Sequence, residues 1–271
     1  MPEGDTIFKL AEYLRPELSG RRLLAGQVRG IESADLAGRR IGEVFAKGKH
    51  LFIALDDRRL LRSHLGMWGS WHGYAPGERW QKPRRQASII LDLGERVFVC
   101  FNPLQVEILR ESGVRRRRLD VALGPDLLAT ETDFAGMLAR AREITAAQTP
   151  IVDVLLNQRV ATGIGNVYKS EVLFLERLAP QVSLGDLNDD RLLGLYRRAR
   201  QLLGRNLRGG PRVTRRANDD AGRLWVYGRT GQPCLVCDDR IHSAKLGHGL
   251  RSTFWCPSCQ ELAQAGLTEP E

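Results

Sequence analysis

Lysine is scarce in this chain, supplying six of its 41 basic residues. Against that arginine-rich background the pair Lys47-Gly48-Lys49 stands out, because lysine can give up a proton near neutral pH and arginine cannot. No apolar run approaches the ~18 residues of a membrane span. The opening Pro2-Glu3-Gly4-Asp5 also lacks the basic-then-apolar order of a secretion signal. These absences argue against a membrane protein or an exported one and place the chain in the cytoplasm. There is no internal repeat and no low-complexity tract. Acids are missing from one long stretch: Arg197 to Arg216 holds eight arginines and neither Asp nor Glu. Arg115 to Arg118 form a second run. A solvated helix face would alternate its charges, so an acid-free stretch of this length fits a surface for a polyanion better.

What is present bounds the rest. With 271 residues, 42% of them hydrophobic, the chain has material for two compact domains with real cores. A net charge of +9 and a pI near 9.7 point to nucleic acid, because neutralised phosphates release their condensed counterions. Membrane surfaces and acidic proteins fit the charge alone equally well. Ile7, Ala11, Leu14 and Leu18 recur at helical spacing and stop at Ser19-Gly20, predicting a first helix that anchors the N-terminus. Short alternating runs follow at Arg22 to Val28, Ile41 to Phe45, Leu51 to Leu55, Leu60 to His64, Ser88 to Leu93 and Val97 to Phe101, and the pattern changes after Val106 to Leu109. Such runs predict a β-sandwich or barrel. Gly48 is expected in a turn of that sheet, Gly73 to Pro83 in a longer loop, and Gly124-Pro125 in an interdomain linker.

Beyond the linker the pattern turns helical. Phe134, Met137, Leu138 and Ala141 share a face, Pro150 opens a segment through Leu156, and another runs from Val167 to Glu176. Asn188 is placed to cap a long helix carrying Leu192, Leu195, Tyr196, Ala199 and Leu203. Gly163-Ile164-Gly165-Asn166 is too glycine-rich for helix. It reads either as a plain helical hairpin or as a turn presenting amides, with Asn166, to an anion. Gly266 to Glu271 is expected to fray.

Four of the five cysteines fall as Cys234-x-x-Cys237 and Cys256-x-x-Cys259, with eighteen residues between the pairs. That spacing suits two knuckles around one tetrahedral Zn²⁺, against the alternative of two disulfides. Four thiolates leave no open coordination position, so such a zinc is structural. The intervening loop carries Lys245, His248 and Arg251 within reach of a phosphate. Cys100, in a predicted strand, is expected to be a buried packing residue.

The first residues carry a different chemistry. If Met1 is trimmed, Pro2 offers a secondary amine, whose condensation with a sugar aldehyde gives a permanently cationic iminium and so an electron sink. Glu3 beside it suits the general-acid task of that attack.

Six stretches in order resemble the DNA glycosylase/AP-lyase family of formamidopyrimidine-DNA glycosylase and endonuclease VIII, and within it the endonuclease VIII-like branch of actinobacteria. They are Met1-Pro2-Glu3-Gly4, Lys47-Gly48-Lys49-His50-Leu51, Ser63-His64-Leu65-Gly66-Met67, Leu123-Gly124-Pro125-Asp126-Leu127-Leu128, Gln158-Arg159-Val160 leading to Gly163-Ile164-Gly165-Asn166-Val167-Tyr168, and Val226-Tyr227-Gly228-Arg229. The resemblance implies an α+β multidomain protein: an N-terminal catalytic β-sandwich with flanking helices (1–122), a helical helix-two-turns-helix domain (123–221), a zinc-finger β-hairpin (222–262) and a tail (263–271). Double-stranded DNA carrying oxidised bases or abasic sites would lie in the cleft between the halves of a monomeric, nucleoid-associated bacterial enzyme.

By the same resemblance Pro2 attacks C1′, Glu3 is the acid, Lys49 the β-elimination lysine, Asn166 the phosphate-holding asparagine and Arg251 the finger arginine that grips phosphates at the lesion. Tyr168 and Lys169 follow Asn166 as further DNA-binding positions. Met67 and Trp68 fill the gap left by the extruded nucleotide, with core packing as the competing assignment. The implied activity is removal of an oxidised base, a pyrimidine in first place, followed by β- and δ-elimination. An oxidised-purine glycosylase or a non-catalytic zinc-ribbon sensor of damaged DNA are the alternatives. Three departures from the family bear on this. Thr6 stands where many relatives carry glutamate, with Asp5 one residue earlier. Leu104-Gln105-Val106 follows Asn102-Pro103 where purine-specific relatives have Arg and Phe. Gly66 replaces a polar residue.

Overall fold

The computed structural model describes residues 2–31, 35–216 and 219–260. Met1 and the tail from Gly266 to Glu271 lie outside the described residues. The chain divides into two compact units, Met1–Val121 and Ala122–Glu271, the division falling beside Gly124-Pro125.

The first unit is built on two four-stranded antiparallel sheets. The helix α1 (Gly4–Leu18) begins three residues before the expected Ile7 and buries Ile7, Ala11, Leu14 and Leu18. Gly20, at φ +80°, follows its end. One sheet pairs β2 (Ile41–Lys47), β3 (His50–Leu55), β4 (Arg59–His64) and β8 (Gln105–Arg110), in that order. The other pairs β1 (Ala25–Val28), β6 (Ala87–Asp92), β7 (Val97–Phe101) and β5 (Ser70–Tyr74) in the order β1-β6-β7-β5. Their inner faces share one core with α1, in which Val44, Leu51, Ile53 and Leu61 meet Ile89, Leu91, Phe98 and Cys100. Trp71 donates its indole N–H to Ser63 Oγ at 3.2 Å, stitching one sheet to the other.

Strand β5 overturns the expectation that a loop begins at Gly73. Trp71 and Tyr74 are buried along it, and a Cβ at Gly73 would stand 2.9 Å from Phe98 Cε1. Gly73 is therefore a packing glycine, not a turn signal. The Arg115–Arg118 run lies in the helix α2 (Val114–Ala122), where Arg116 sits 5.4 Å over the Phe52 ring and pairs with Asp120 at 2.8 Å.

In the second unit the helices are α3 (Phe134–Ile144), α4 (Ile151–Leu156), α5 (Asn166–Leu175) and α6 (Asp189–Arg205). They share a core in which Met137, Ile151, Tyr168, Leu195 and Tyr196 take part. Asn188 caps α6, accepting from Arg191 N–H at 2.9 Å. The turn between α4 and α5 is tied by Gln158, whose amide donates to Leu156 O (2.9 Å) and Ile164 O (3.2 Å) and accepts from Gly163 N–H (3.2 Å). Gly124-Pro125 is pinned to that turn: Gly124 N–H donates to Gln158 O at 2.8 Å, and Thr162 N–H to Pro125 O at 2.9 Å.

A hairpin of β9 (His242–Leu246) and β10 (Arg251–Trp255) closes the described chain. Its root is fastened by Glu171, fully buried on α5. That carboxylate accepts the backbone N–H groups of Trp225, Val226 and Tyr227 at 2.8 to 3.0 Å and the Thr214 hydroxyl. Among the described residues no helix is long and apolar enough to cross a membrane.

Candidate active site and metal centre

Strand register brings several of the expected residues to one end of the β2-β3-β4-β8 sheet. Lys47 pairs with His50, His50 with His64, and His64 with Gln105, so a single row crosses all four strands. Gly48 and Lys49 form the two-residue turn at one end of that row. Gly48 takes φ +56° and Lys49 is not left-handed, the pattern of a hairpin turn that demands glycine first. Residues 65–69 leave the row from β4, and Leu104 is held beside them by its N–H on His64 O at 2.8 Å. α1 also points here. Its C-terminal end is tied to Ile41 through Gly20 N–H (2.8 Å) and Arg15 Nε bonds Val44 O (3.0 Å), so the helix runs back along β2 and its start faces the Lys47 end.

At that start Glu3 is the N-cap residue and is fully buried, with Asp5 1% exposed. Thr6 completes a reciprocal capping box: its hydroxyl accepts the Glu3 N–H at 3.4 Å and donates to Asp5 Oδ1 at 3.3 Å. Thr6 is thereby the connector between two buried acids. In the row itself His50 and His64 face each other with ring centroids 4.8 Å apart. Burial, then the charge of Arg62, pushes His50 down to about 3. Burial, then the charge of Lys49, pushes His64 down to about 4. Neither Nδ1 has a hydrogen-bond partner among the described residues. Within the row the two histidines are thus a neutral pair.

Met67 and Trp68 are 57% and 75% exposed, which removes core packing as their role. Gly69 permits the protruding turn, since a Cβ there would stand 2.8 Å from Leu65 Cα. Lys82 braces it from below, donating to Trp68 O at 3.3 Å and Ser70 Oγ at 3.1 Å. Leu104, 68% exposed, adds a third apolar side chain, and a Cβ on Gly66 would meet its Cβ at 2.8 Å. Sequence reasoning missed Leu104 in this role. The signal was an apolar residue directly after Asn102-Pro103.

In the second unit Asn166 is the first residue of α5 and only 9% exposed, its Oδ1 3.4 Å from Lys169 Nζ. Tyr168 and Lys169, expected as further DNA-binding positions, are both fully buried. The Lys169 ammonium donates to Thr253 Oγ1 (2.8 Å) and Ser252 O (3.2 Å), bracing β10 from beneath. Arg251, the first residue of β10, is exposed. The acid-free arginine run is likewise partly internal. Arg198 bonds Glu176, Arg200 bonds the carbonyls of Ala129 and Thr130, and Arg215 pairs with Asp219. The charge run is thus only in part a surface for phosphates.

Cys234, Cys237, Cys256 and Cys259 gather with all four Sγ atoms within 4.8 Å of one another. Tetrahedral zinc at about 2.3 Å from each sulfur requires S–S separations of about 3.8 Å. Cys234 and Cys259 stand 3.8 Å apart, Cys237 and Cys256 3.4 Å. Burial pushes the Cys259 thiol up and the Cys256 thiol up to about 11, so a cation is what would let these two ionise. The surrounding core is small: among the described residues Phe174, Val226 and Ile241 are its only buried members besides three of these cysteines. The residues fit a closed structural zinc site.

The first unit is thus a sandwich with a buried acid at the start of its leading helix, and the second a helical unit that carries a four-thiol hairpin. The chain belongs to the formamidopyrimidine-DNA glycosylase family: residues 1–105 match its N-terminal domain and residues 123–217 its H2TH domain. It is 38% identical to "Probable endonuclease 8 2" of Streptomyces coelicolor over 96% of this chain and 94% of that protein. It is 35% identical to "DNA-(apurinic or apyrimidinic site) lyase Nei2" of Mycolicibacterium smegmatis over 96% of this chain and 99% of that one. In fold it is similar to the formamidopyrimidine-DNA glycosylase of Lactococcus lactis, solved bound to DNA containing an abasic site. The TM-score is 0.81 at 22% identity, over 96% of this chain and all of that one.

Proposed function

We propose that this chain is a bifunctional DNA glycosylase/AP lyase of base excision repair that excises an oxidised base, pyrimidines first, and nicks the strand through a Pro2 iminium. The observation that carries this reading is the convergence of the α1 start, with buried Glu3, and the Lys49 turn on one end of a sheet that also presents Met67, Trp68 and Leu104. Relatives named endonuclease 8 and AP lyase support it. With Met1 removed, the Pro2 nitrogen bonds to C1′ as the bond to the damaged base breaks, and Glu3 gives its proton to O4′ as the sugar opens. The resulting iminium accepts the electron pair released when C2′ loses a proton, and the 3′-phosphate departs; Lys49 is assigned to this elimination. Loss of the 5′-phosphate in the same sense completes δ-elimination.

Asn166 and Arg251 are assigned to the flanking phosphates, for which a guanidinium fork suits bidentate contact. Zinc on the four cysteines would stiffen the Arg251 hairpin and take no part in bond breaking. Leu104 in place of a cationic side chain supports pyrimidine over purine substrates.

Borohydride added during reaction with abasic-site duplex checks the mechanism. A covalent adduct that maps to Pro2 and disappears in Pro2→Gly is expected. No adduct with the wild-type protein would favour the non-catalytic sensor of damaged DNA, and an adduct through another residue would remove Pro2 from the mechanism.

A further inference from the structure

The turn that presents Arg251 is held by a residue with no part in the reading above. Residues 247–250 join β9 to β10, and Asp153 of α4 reaches them. Its Oδ2 accepts the His248 backbone N–H and the His248 ring Nδ1–H, each at 2.8 Å. Gly247 lies at φ +73°, and a Cβ there would stand 2.7 Å from Asp153 Cγ, so this glycine is required both by conformation and by the carboxylate against it. The Asp153 side chain is 18% exposed and that of His248 83%, so the carboxylate is the sheltered partner and the turn comes to it. A second tie acts from the opposite side: Lys169 donates to Thr253 Oγ1, which donates to Arg251 O at 3.0 Å. The Arg251 backbone is thus fixed at the turn before it and under the strand that follows.

Neither tie involves the four thiols. Zinc would hold the far end of the hairpin closed, and nothing in the thiol cluster sets where the tip rests. We propose that Asp153 is a positioning residue for Arg251: by docking the hairpin tip onto α4 it presents the guanidinium already oriented for a DNA phosphate, which lowers the ordering cost of binding. This rests on the phosphate role assigned to Arg251.

A double-mutant cycle on the zinc-loaded full chain tests it, using Asp153→Ala, Asp153→Asn and Arg251→Ala with a duplex bearing a tetrahydrofuran abasic analogue. Asp153→Ala is expected to weaken binding roughly five- to tenfold, with zinc content and the circular-dichroism spectrum unchanged. Adduct formation at saturating abasic-site DNA should fall much less than affinity. Asp153→Asn should recover part of the affinity, since its amide oxygen still accepts one bond from His248. In the Arg251→Ala background, Asp153→Ala should cost nothing further. Wild-type affinity in Asp153→Ala, or a loss that adds in full to that of Arg251→Ala, would overturn the docking role while leaving the glycosylase reading intact. Wild-type affinity in Arg251→Ala would overturn it at its root. Failure of the wild-type chain to form any borohydride adduct would strike the glycosylase reading instead.

Discussion

Glu3 occupies the N-cap of α1 with no exposed surface, so Glu3→Gln keeps the volume and a capping oxygen while removing the acid. Base removal from a lesion duplex should then slow by about 10²- to 10⁴-fold. Adduct formation on a preformed abasic site, where the base is already gone and the sugar can open by itself, should suffer less. Equal losses on both substrates would show that Glu3 does not act in base removal. At this scale the cysteines were legible, because metal coordination constrains spacing within a few residues. The roles proposed for Pro2, Glu3 and Lys49 rest on the resemblance together with the amine, carboxyl and lysine chemistry that their residue types allow, since an opening proline or a turn lysine alone is commonplace. The burial of Lys169 was not legible for a physical reason: it is decided by Thr253 and Ser252, more than eighty residues away. Leu104 and Asp153 were hidden in the same way, for residue type does not encode exposure or a partner on another element.

Among the elements, the β2–β3 hairpin carries the greatest local constraint. Gly48 at φ +56° is the first residue of its turn, and a branched side chain there opposes that backbone. Gly48→Val should destabilise the first unit by about 1–2 kcal/mol and lower strand nicking beyond what the stability loss explains, because Lys49 moves with the turn. Denaturant titration beside a nicking assay at low temperature checks this, and full nicking would detach Lys49 from the chemistry. Periodicity located α1, six of the eight strands of the sandwich and the helices from Phe134 onward, since an amphipathic face must repeat with the element's own period. β5 escaped because Gly73 reads as punctuation in the sequence and acts as a spacer against Phe98 in the fold. The start of α1 escaped because its first turn buries Gly4 and Asp5, two residues without apolar character.

For the molecule as a whole, the facing histidines set a pH response. In the unfolded chain each takes up a proton near about 6.5. Folded, His64 does so near 4 and His50 near 3, chiefly because both are buried. Between about 6.5 and those values the unfolded chain binds more protons than the folded one, so stability must fall as pH drops through this window. Thermal unfolding of wild type and His64→Gln at pH 7.5 and 5 checks the sign: wild type should lose more on acidification, and identical losses would mean His64 is not held neutral. Composition gave a reliable net charge but an incomplete guide to where it acts. The bonds made by Arg198, Arg200 and Arg215 within the second unit show that an arginine run can fasten a helix as well as meet a polyanion.

Glu171 gives the hairpin a fixed root. Its carboxylate clasps three consecutive backbone amides of residues 225–227 from inside a buried helix, well short of the first thiol at Cys234. A chelator that strips the metal therefore meets a hinge that stays set: the thiol end of the hairpin can come apart while its attachment keeps the original heading. Recovery then needs only a local closing of four sulfurs over a new ion, not a fresh search for where the arm belongs.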